Sequence, residues 1–241
     1  MPIQPSPICR ACLHLSSLRN VRWGWVLPVL QMNAHGIIRI LVVDDNAIMR
    51  EGVRAIVDRQ SDMSVMAETS DGSDAVELFR LHRPDIVLTE LRLQSACGVQ
   101  LCAEIVSESS DSRIIVLTER TGDEDIYRAL QAGARSYLFK TASPDELLDA
   151  IRAVYANRYH LPQNVAARLA SRLNGCTLST RELAVLELIV IGKSNKEIAS
   201  ALSITEGTVK GHVNNILSKF SVDDRTHAAV TALRRGIIHL D

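Results

Sequence analysis

The chain has 241 residues, of which 46% are apolar and 23% charged, and its net charge is −1. These values exclude disordered and fibrous classes, and the near-neutral charge excludes a generally basic nucleic-acid coat while permitting a local basic face. No apolar run is long enough to span a membrane, and five irregularly spaced cysteines do not make a disulfide framework, so a reducing cytoplasm is expected, with no membrane partner.

Residues 1–36 stand apart. They hold Arg10, Arg19 and Arg22 but no Asp, Glu or Lys, and Pro28 breaks the apolar patch from Val26 to Leu30. No apolar core long enough for a secretion signal follows the arginines. Cys9, Cys12 and His14 have a metal-like spacing but lack a clear fourth ligand for zinc. A disordered extension is expected, with Met32 a candidate start of translation just before the first periodic segment.

Residues 37–156 read as one alternating unit. Short apolar runs at 40–43, 64–67, 86–89, 114–117 and 136–139 predict strands. Helical patterns lie between and after them, from 47 to about 59 and at about 73–82, 98–108, 123–132 and 144–156. Five continuous apolar strands alternating with helices imply a doubly wound, flavodoxin-like α/β fold with a five-stranded parallel sheet covered on both faces. Ligands of such sheets sit beyond the carboxyl ends of the strands. There the chain places Asp44 and Asp45, Glu90, Thr118 with Glu119, and Lys140. Carboxylates with one hydroxyl and one ammonium suit a hard cation such as magnesium plus a phosphoryl group.

The stretches LVVDD at 41–45, PDIVLTELRL at 84–93, IVLTE at 115–119 and GARSYLFKTASPDELL at 133–148 resemble a bacterial response-regulator receiver domain. The resemblance implies that Asp44 and Asp45 form a metal-binding acidic pair. It makes Thr118 the switch hydroxyl, Lys140 the phosphate-binding lysine and Tyr137 the aromatic whose rotamer reports the switch. It also implies a sensor histidine kinase as a partner.

Glu90 departs from that pattern, because it stands where the family carries the phosphoacceptor Asp. Its extra methylene carries the carboxylate roughly 1.5 Å further into the pocket. A misplacement of about 1 Å can slow a positioned reaction on the order of 10²-fold. Gln94 and Glu119 depart as well, and Glu119 makes the pocket more acidic. A phosphorylation-independent receiver is therefore expected, with magnesium bound at most weakly by Asp44, Asp45 and Glu90. Lys140 is expected to pair with Glu90, leaving Thr118 less to bond.

Residues 157–175 read as a tether with one short amphipathic helix, Val165 to Leu173. The chain from 176 to 241 reads as a small all-α domain. Ser179 with Glu182 and Ser194 with Glu197 are capping boxes, opening helices to about Ile191 and Leu202. Thr205 caps a third helix, and a fourth runs from about Arg225 to Arg235. Two short helices joined at Ser203-Ile204 suggest helix-turn-helix.

In the third helix, Val209, Val213, Ile216, Leu217 and Phe220 form one apolar stripe. The opposite face offers Lys210, Gly211, Asn214, Asn215 and Ser218, groups suited to reading base edges, with no acid. The segment from LSTRELAVLELI to ALRRGII, with TVKGHVNNIL and SNKEIA its most specific parts, resembles a LuxR-type helix-turn-helix. Together with the receiver, it resembles response regulators of the NarL/FixJ group.

That resemblance puts the third helix in the major groove of double-stranded DNA and makes Lys210, Gly211 and Asn214 base readers. Thr208, His212, Asn215 and Lys219 flank them, His212 and Lys219 being candidate phosphate contacts, and Ser194, Asn195 and Lys196 are candidate backbone contacts. It makes the fourth helix, with Ala228, Ala229, Ala232 and Leu233, a homodimer contact reading paired half-sites. The expected function is DNA-binding transcription regulation without catalytic turnover. The rival readings are a conventional phosphorelay regulator, a receiver acting mainly through a protein partner, and a carboxylate–magnesium enzyme such as a phosphatase.

Overall fold

The computed structural model describes residues 36–94 and 97–240. The Cys9, Cys12 and His14 spacing and the candidate start at Met32 lie outside the described residues.

The first half is a parallel sheet of β1 (Ile38–Val43), β2 (Met63–Thr69), β3 (Ile86–Thr89), β4 (Ile114–Thr118) and β5 (Ala134–Phe139), in the order β2-β1-β3-β4-β5. The helices between and after the strands are α1 (Ala47–Val57), α2 (Gly72–His82), α3 (Gly98–Glu108), α4 (Asp123–Gln131) and α5 (Pro144–Tyr155). The central strands β3 and β4 are buried along their whole length because the sheet is covered on both sides. Leu41, Val43, Val87, Ile114 and Val116 pack with α2, α3 and α4. Their alternate neighbours Ile40, Val42, Ile86, Leu88, Ile115 and Leu117 pack with α1 and α5.

Local chemistry sets the helix starts. Asn46 accepts the amides of Ile48 and Met49, Asp71 accepts that of Ser73, and Ser143 accepts that of Glu146 one residue before Pro144. Helix α1 stops at Val57, two residues before the expected end, because Asp58 turns to accept the Val65 amide at 3.1 Å.

Helix α6 (Gln163–Asn174) is the piece expected within a tether, and it is docked rather than free. Val165 is fully buried in the core shared by α3 and α4, with Leu161 and Leu169 beside it. Arg172 pairs with Glu124 and lies over the Tyr127 ring, and Arg168 donates to the Thr121 carbonyl at 3.0 Å.

The second half is helical: α7 (Thr180–Val190), α8 (Asn195–Leu202), α9 (Glu206–Phe220) and α10 (Arg225–Arg234). Both capping boxes form as expected. Ser203 takes a left-handed conformation, φ 53°, at the turn between α8 and α9. Val185, Leu186 and Ile189 of α7, Ile198 of α8, Val209 and Ile216 of α9, and Ala228 and Ala232 of α10 form one small core.

Candidate functional site: a carboxylate pocket and an exposed helix face

Strands β1, β3, β4 and β5 all end on one side, which delivers Asp44, Glu90, Thr118 and Lys140 to a common point. A cavity of about 450 Å³ opens there. Asp45, Glu90, Arg92, Thr118, Glu119 and Lys140 line it from the sheet side.

Glu90 is 4% exposed, and both its oxygens are used. Oε1 accepts from the Thr118 hydroxyl, from the Leu91 amide at 2.6 Å and from the Arg92 amide at 3.1 Å. Oε2 meets the Lys140 ammonium at 2.8 Å. Lys140 meets Asp44 at the same distance, 2.8 Å. Burial favours a neutral Lys140, but the bonds from Asp44 and Glu90 outweigh it and hold the ammonium above its ordinary value. Gly98 permits the loop after β3 to fold back over Glu90, since a Cβ there would stand 2.3 Å from the Glu90 carbonyl oxygen.

One sequence expectation is corrected here. Thr118 does not lose its partner to Lys140; the longer side chain of Glu90 reaches both at once, one with each oxygen. Receiver domains commonly bind magnesium at this acidic pocket, and here Asp45 and Glu90 line the cavity. Among the described residues no group of three or more His, Cys, Asp or Glu converges to hold a metal. The Lys140 ammonium bridges Asp44 and Glu90.

Tyr137 is fully buried, and its hydroxyl donates to the Arg120 carbonyl at 2.8 Å. Arg120 is held at its other end too, because its amide donates to Thr118 Oγ1 at 3.2 Å.

The second candidate surface is α9. Val209 and Ile216 are buried, while Thr208, Lys210, Gly211, Asn214, Asn215 and Ser218 are exposed and His212 is half-buried. A Cβ on Gly211 would meet nothing within 4 Å, so its packing does not require glycine. Three flanking residues have partners within the domain. Lys219 bonds the nearly buried Glu182 at 2.6 Å and the Thr177 carbonyl at 3.0 Å, which ties α9 to α7 rather than leaving a free phosphate contact. The Ser194 hydroxyl is committed to Glu197 in the capping box, and Asn195 accepts from Arg225 at 3.4 Å. Lys196 is exposed.

Helix α10 is also used differently. Ala228 and Ala232 fill their own domain's core, so they do not offer the expected dimer face. Leu233 lines the cavity at the strand ends, together with Ile238, His239 and Leu240. Here the helical half rests on the receiver. Arg235 pairs with Asp123 at 3.1 Å, its carbonyl accepts the Glu124 amide at 3.0 Å, and His239 bonds Asp125 at 2.9 Å and contacts Arg120. The sequence reading missed Arg120, Asp125 and His239. The available signal was the acidic run Asp123-Glu124-Asp125 opposite Arg172 and Arg235, but its pairing spans more than forty residues.

Comparison with known proteins agrees with this architecture. The family described as response regulator receiver domain matches residues 40–152, and bacterial regulatory proteins of the luxR family match residues 176–232. The transcriptional regulatory protein LiaR of Bacillus subtilis is 42% identical over 210 residues, covering 84% of this chain and 100% of that protein. The response regulator VraR of Staphylococcus saprophyticus is 36% identical over 206 residues, covering 83% and 99%. A crystal structure of the response regulator ChrA, from a heme-sensing two-component system, matches with a TM-score of 0.52 at 35% identity, covering 84% of this chain and all of ChrA, 100%. The chain belongs to the DNA-binding transcriptional regulators of the two-component response-regulator family, a receiver joined to a LuxR-type helix-turn-helix.

Proposed function

We propose that this regulator works without phosphorylation, its receiver held in one switch state by Glu90. The observation that carries the reading is the Glu90 carboxylate itself. It engages the Thr118 hydroxyl, the Lys140 ammonium and two loop amides, the donors that a phosphoryl group on a shorter acceptor would need. A permanent side chain does what a transient group does elsewhere in the family, with one negative charge instead of nearly two. Lys140 supplies a counter-charge to Asp44 and Glu90 from within the chain.

DNA is the partner through α9. Lys210 and Asn214 suit direct contacts to guanine and adenine in the major groove, and Gly211 admits close approach. Thr208, Asn215 and Lys196 border that face. The face is exposed while the helical domain rests on the receiver, which supports reading without prior release. A homodimer on paired half-sites fits the symmetry that such operators impose. A DNA partner, and three free cysteines among the described residues, support a bacterial cytoplasm.

Mobility-shift titrations of promoter fragments, before and after acetyl phosphate with magnesium, test this. The expected result is specific binding by untreated protein and the same affinity after treatment. Binding that appears only after treatment overturns the reading and favours the conventional alternative, a regulator driven by a sensor histidine kinase.

A further inference from the structure

In this molecule the filled pocket is linked to the DNA-binding half by a continuous set of bonds. Glu90 bonds Thr118, Thr118 accepts the Arg120 amide, and the Arg120 side chain contacts His239 Nδ1 while His239 Nε2 meets Asp125 at 2.9 Å. A guanidinium has no acceptor, so Nδ1 accepts from Arg120 and Nε2 donates to Asp125. Asp125 is 6% exposed and starts α4 next to the residues that Arg235 binds.

The surfaces meet closely. A Cβ on Gly236 would stand 2.0 Å from Asp125 Oδ2, and one on Gly122 would stand 2.6 Å from the Arg235 carbonyl oxygen. Two residues without side chains, one from each half, are what let the backbones touch.

We propose that Glu90 clamps the DNA-binding helices onto the receiver, acting through Thr118, Arg120 and His239. The inference rests on the reading that Glu90 occupies the pocket permanently. It adds a direction: the engaged pocket holds the helical half docked, with α9 exposed, instead of letting it go. Arg120 and His239 are positioning residues in this scheme. Thr118 fixes the Arg120 backbone, and the Arg120 side chain fixes the imidazole.

The Glu124 amide is a natural reporter. It lies in the first turn of α4, where amides have no partner within the helix, and its only bond is to the Arg235 carbonyl across the contact, at 3.0 Å. Its exchange with solvent therefore follows docking, while amides of β4 follow global unfolding. Exchange is measured site by site on the full chain. Gly236→Ala, which forces the surfaces apart, sets the undocked rate.

His239→Ala is expected to speed Glu124 exchange at least about fivefold with β4 unchanged, a coupling of ordinary allosteric size. His239→Gln, whose amide also accepts and donates, is expected to restore the slow rate. Glu90→Ala is expected to speed Glu124 as His239→Ala does, and the double variant to be no faster than either. Thr118→Val keeps the side-chain shape and removes the hydroxyl. It gives the same answer if Glu90→Ala fails to fold. Slow Glu124 exchange in both Glu90→Ala and Thr118→Val, or strictly additive effects with His239→Ala, overturns the proposal. Phosphoryl labelling is scored separately, so a receiver that accepts phosphate but shows the coupling contradicts only the earlier reading.

Discussion

At the scale of single residues, one methylene changes the chemistry of the pocket. Glu90 spans from the end of β3 to both Thr118 and Lys140, which are the positions that grip a phosphoryl group in the family. Removing it leaves the proton of the buried Thr118 hydroxyl without an acceptor and takes one of two carboxylates from Lys140. Glu90→Ala should cost about 2–3 kcal/mol of receiver stability, while Glu90→Gln, which keeps an acceptor for Thr118, should cost less. Urea denaturation of the three proteins checks the order, and equal stability of all three would contradict it. Glu182 makes a second residue-scale prediction. The Lys219 bond holds its carboxyl well below the usual range, down from 4.5 to about 2, against a smaller opposing effect of burial. A depressed carboxyl contributes stability above its unfolded value, so this contribution is lost as pH falls from about 4.5 toward 2. Lys219→Ala should flatten that part of the stability profile, as followed by helical circular dichroism across the pH series.

At the scale of elements, α9 is the proposed carrier of specificity. Asn214→Ala should cost about 1–3 kcal/mol on the specific operator and relax base preference at one position. Lys196→Ala should weaken all sequences alike and lower the salt slope by about one. Lys219→Ala should leave that slope unchanged, because its ammonium already belongs to Glu182. Titrations on matched and scrambled sites at several salt concentrations separate the three. The elements themselves were legible in the sequence because their signals are local. Continuous apolar runs bounded by acids mark β1 and β3, and Ser-x-x-Glu spacings mark α7 and α8. The apolar stripe of α9 followed from helical periodicity, while the reading of its opposite face as a DNA surface came from the family resemblance. The roles of α6 and α10 were not legible. Val165 and Ala232 are ordinary apolar positions in the sequence, and only the fold decides that one fills the receiver core and the other its own domain's. The pocket was legible in its members but not in its pairing. Strand ends named Asp44, Glu90, Thr118 and Lys140, whereas the reach of Glu90 to two partners at once depends on distances between strands.

At the scale of the whole molecule, the receiver and the DNA-binding helices meet through the α4 start and the segment after α10. The contact involves Arg235 with Asp123 and His239 with Asp125. Lys210, Gly211 and Asn214 of α9 stay exposed while this contact is made. The proposed symmetric dimer, on half-sites about one helical turn apart, should lose tight binding when about five base pairs are inserted between them. Unchanged affinity after that insertion would argue against fixed spacing. The central claim is that the Glu90 carboxylate permanently fills the place of a phosphoryl group. Intact-protein mass after incubation with acetyl phosphate and magnesium tests it most directly, with Glu90→Ala as the control. No phosphoryl adduct is expected on either protein, and an adduct on the wild type that is absent from Glu90→Ala would contradict that claim.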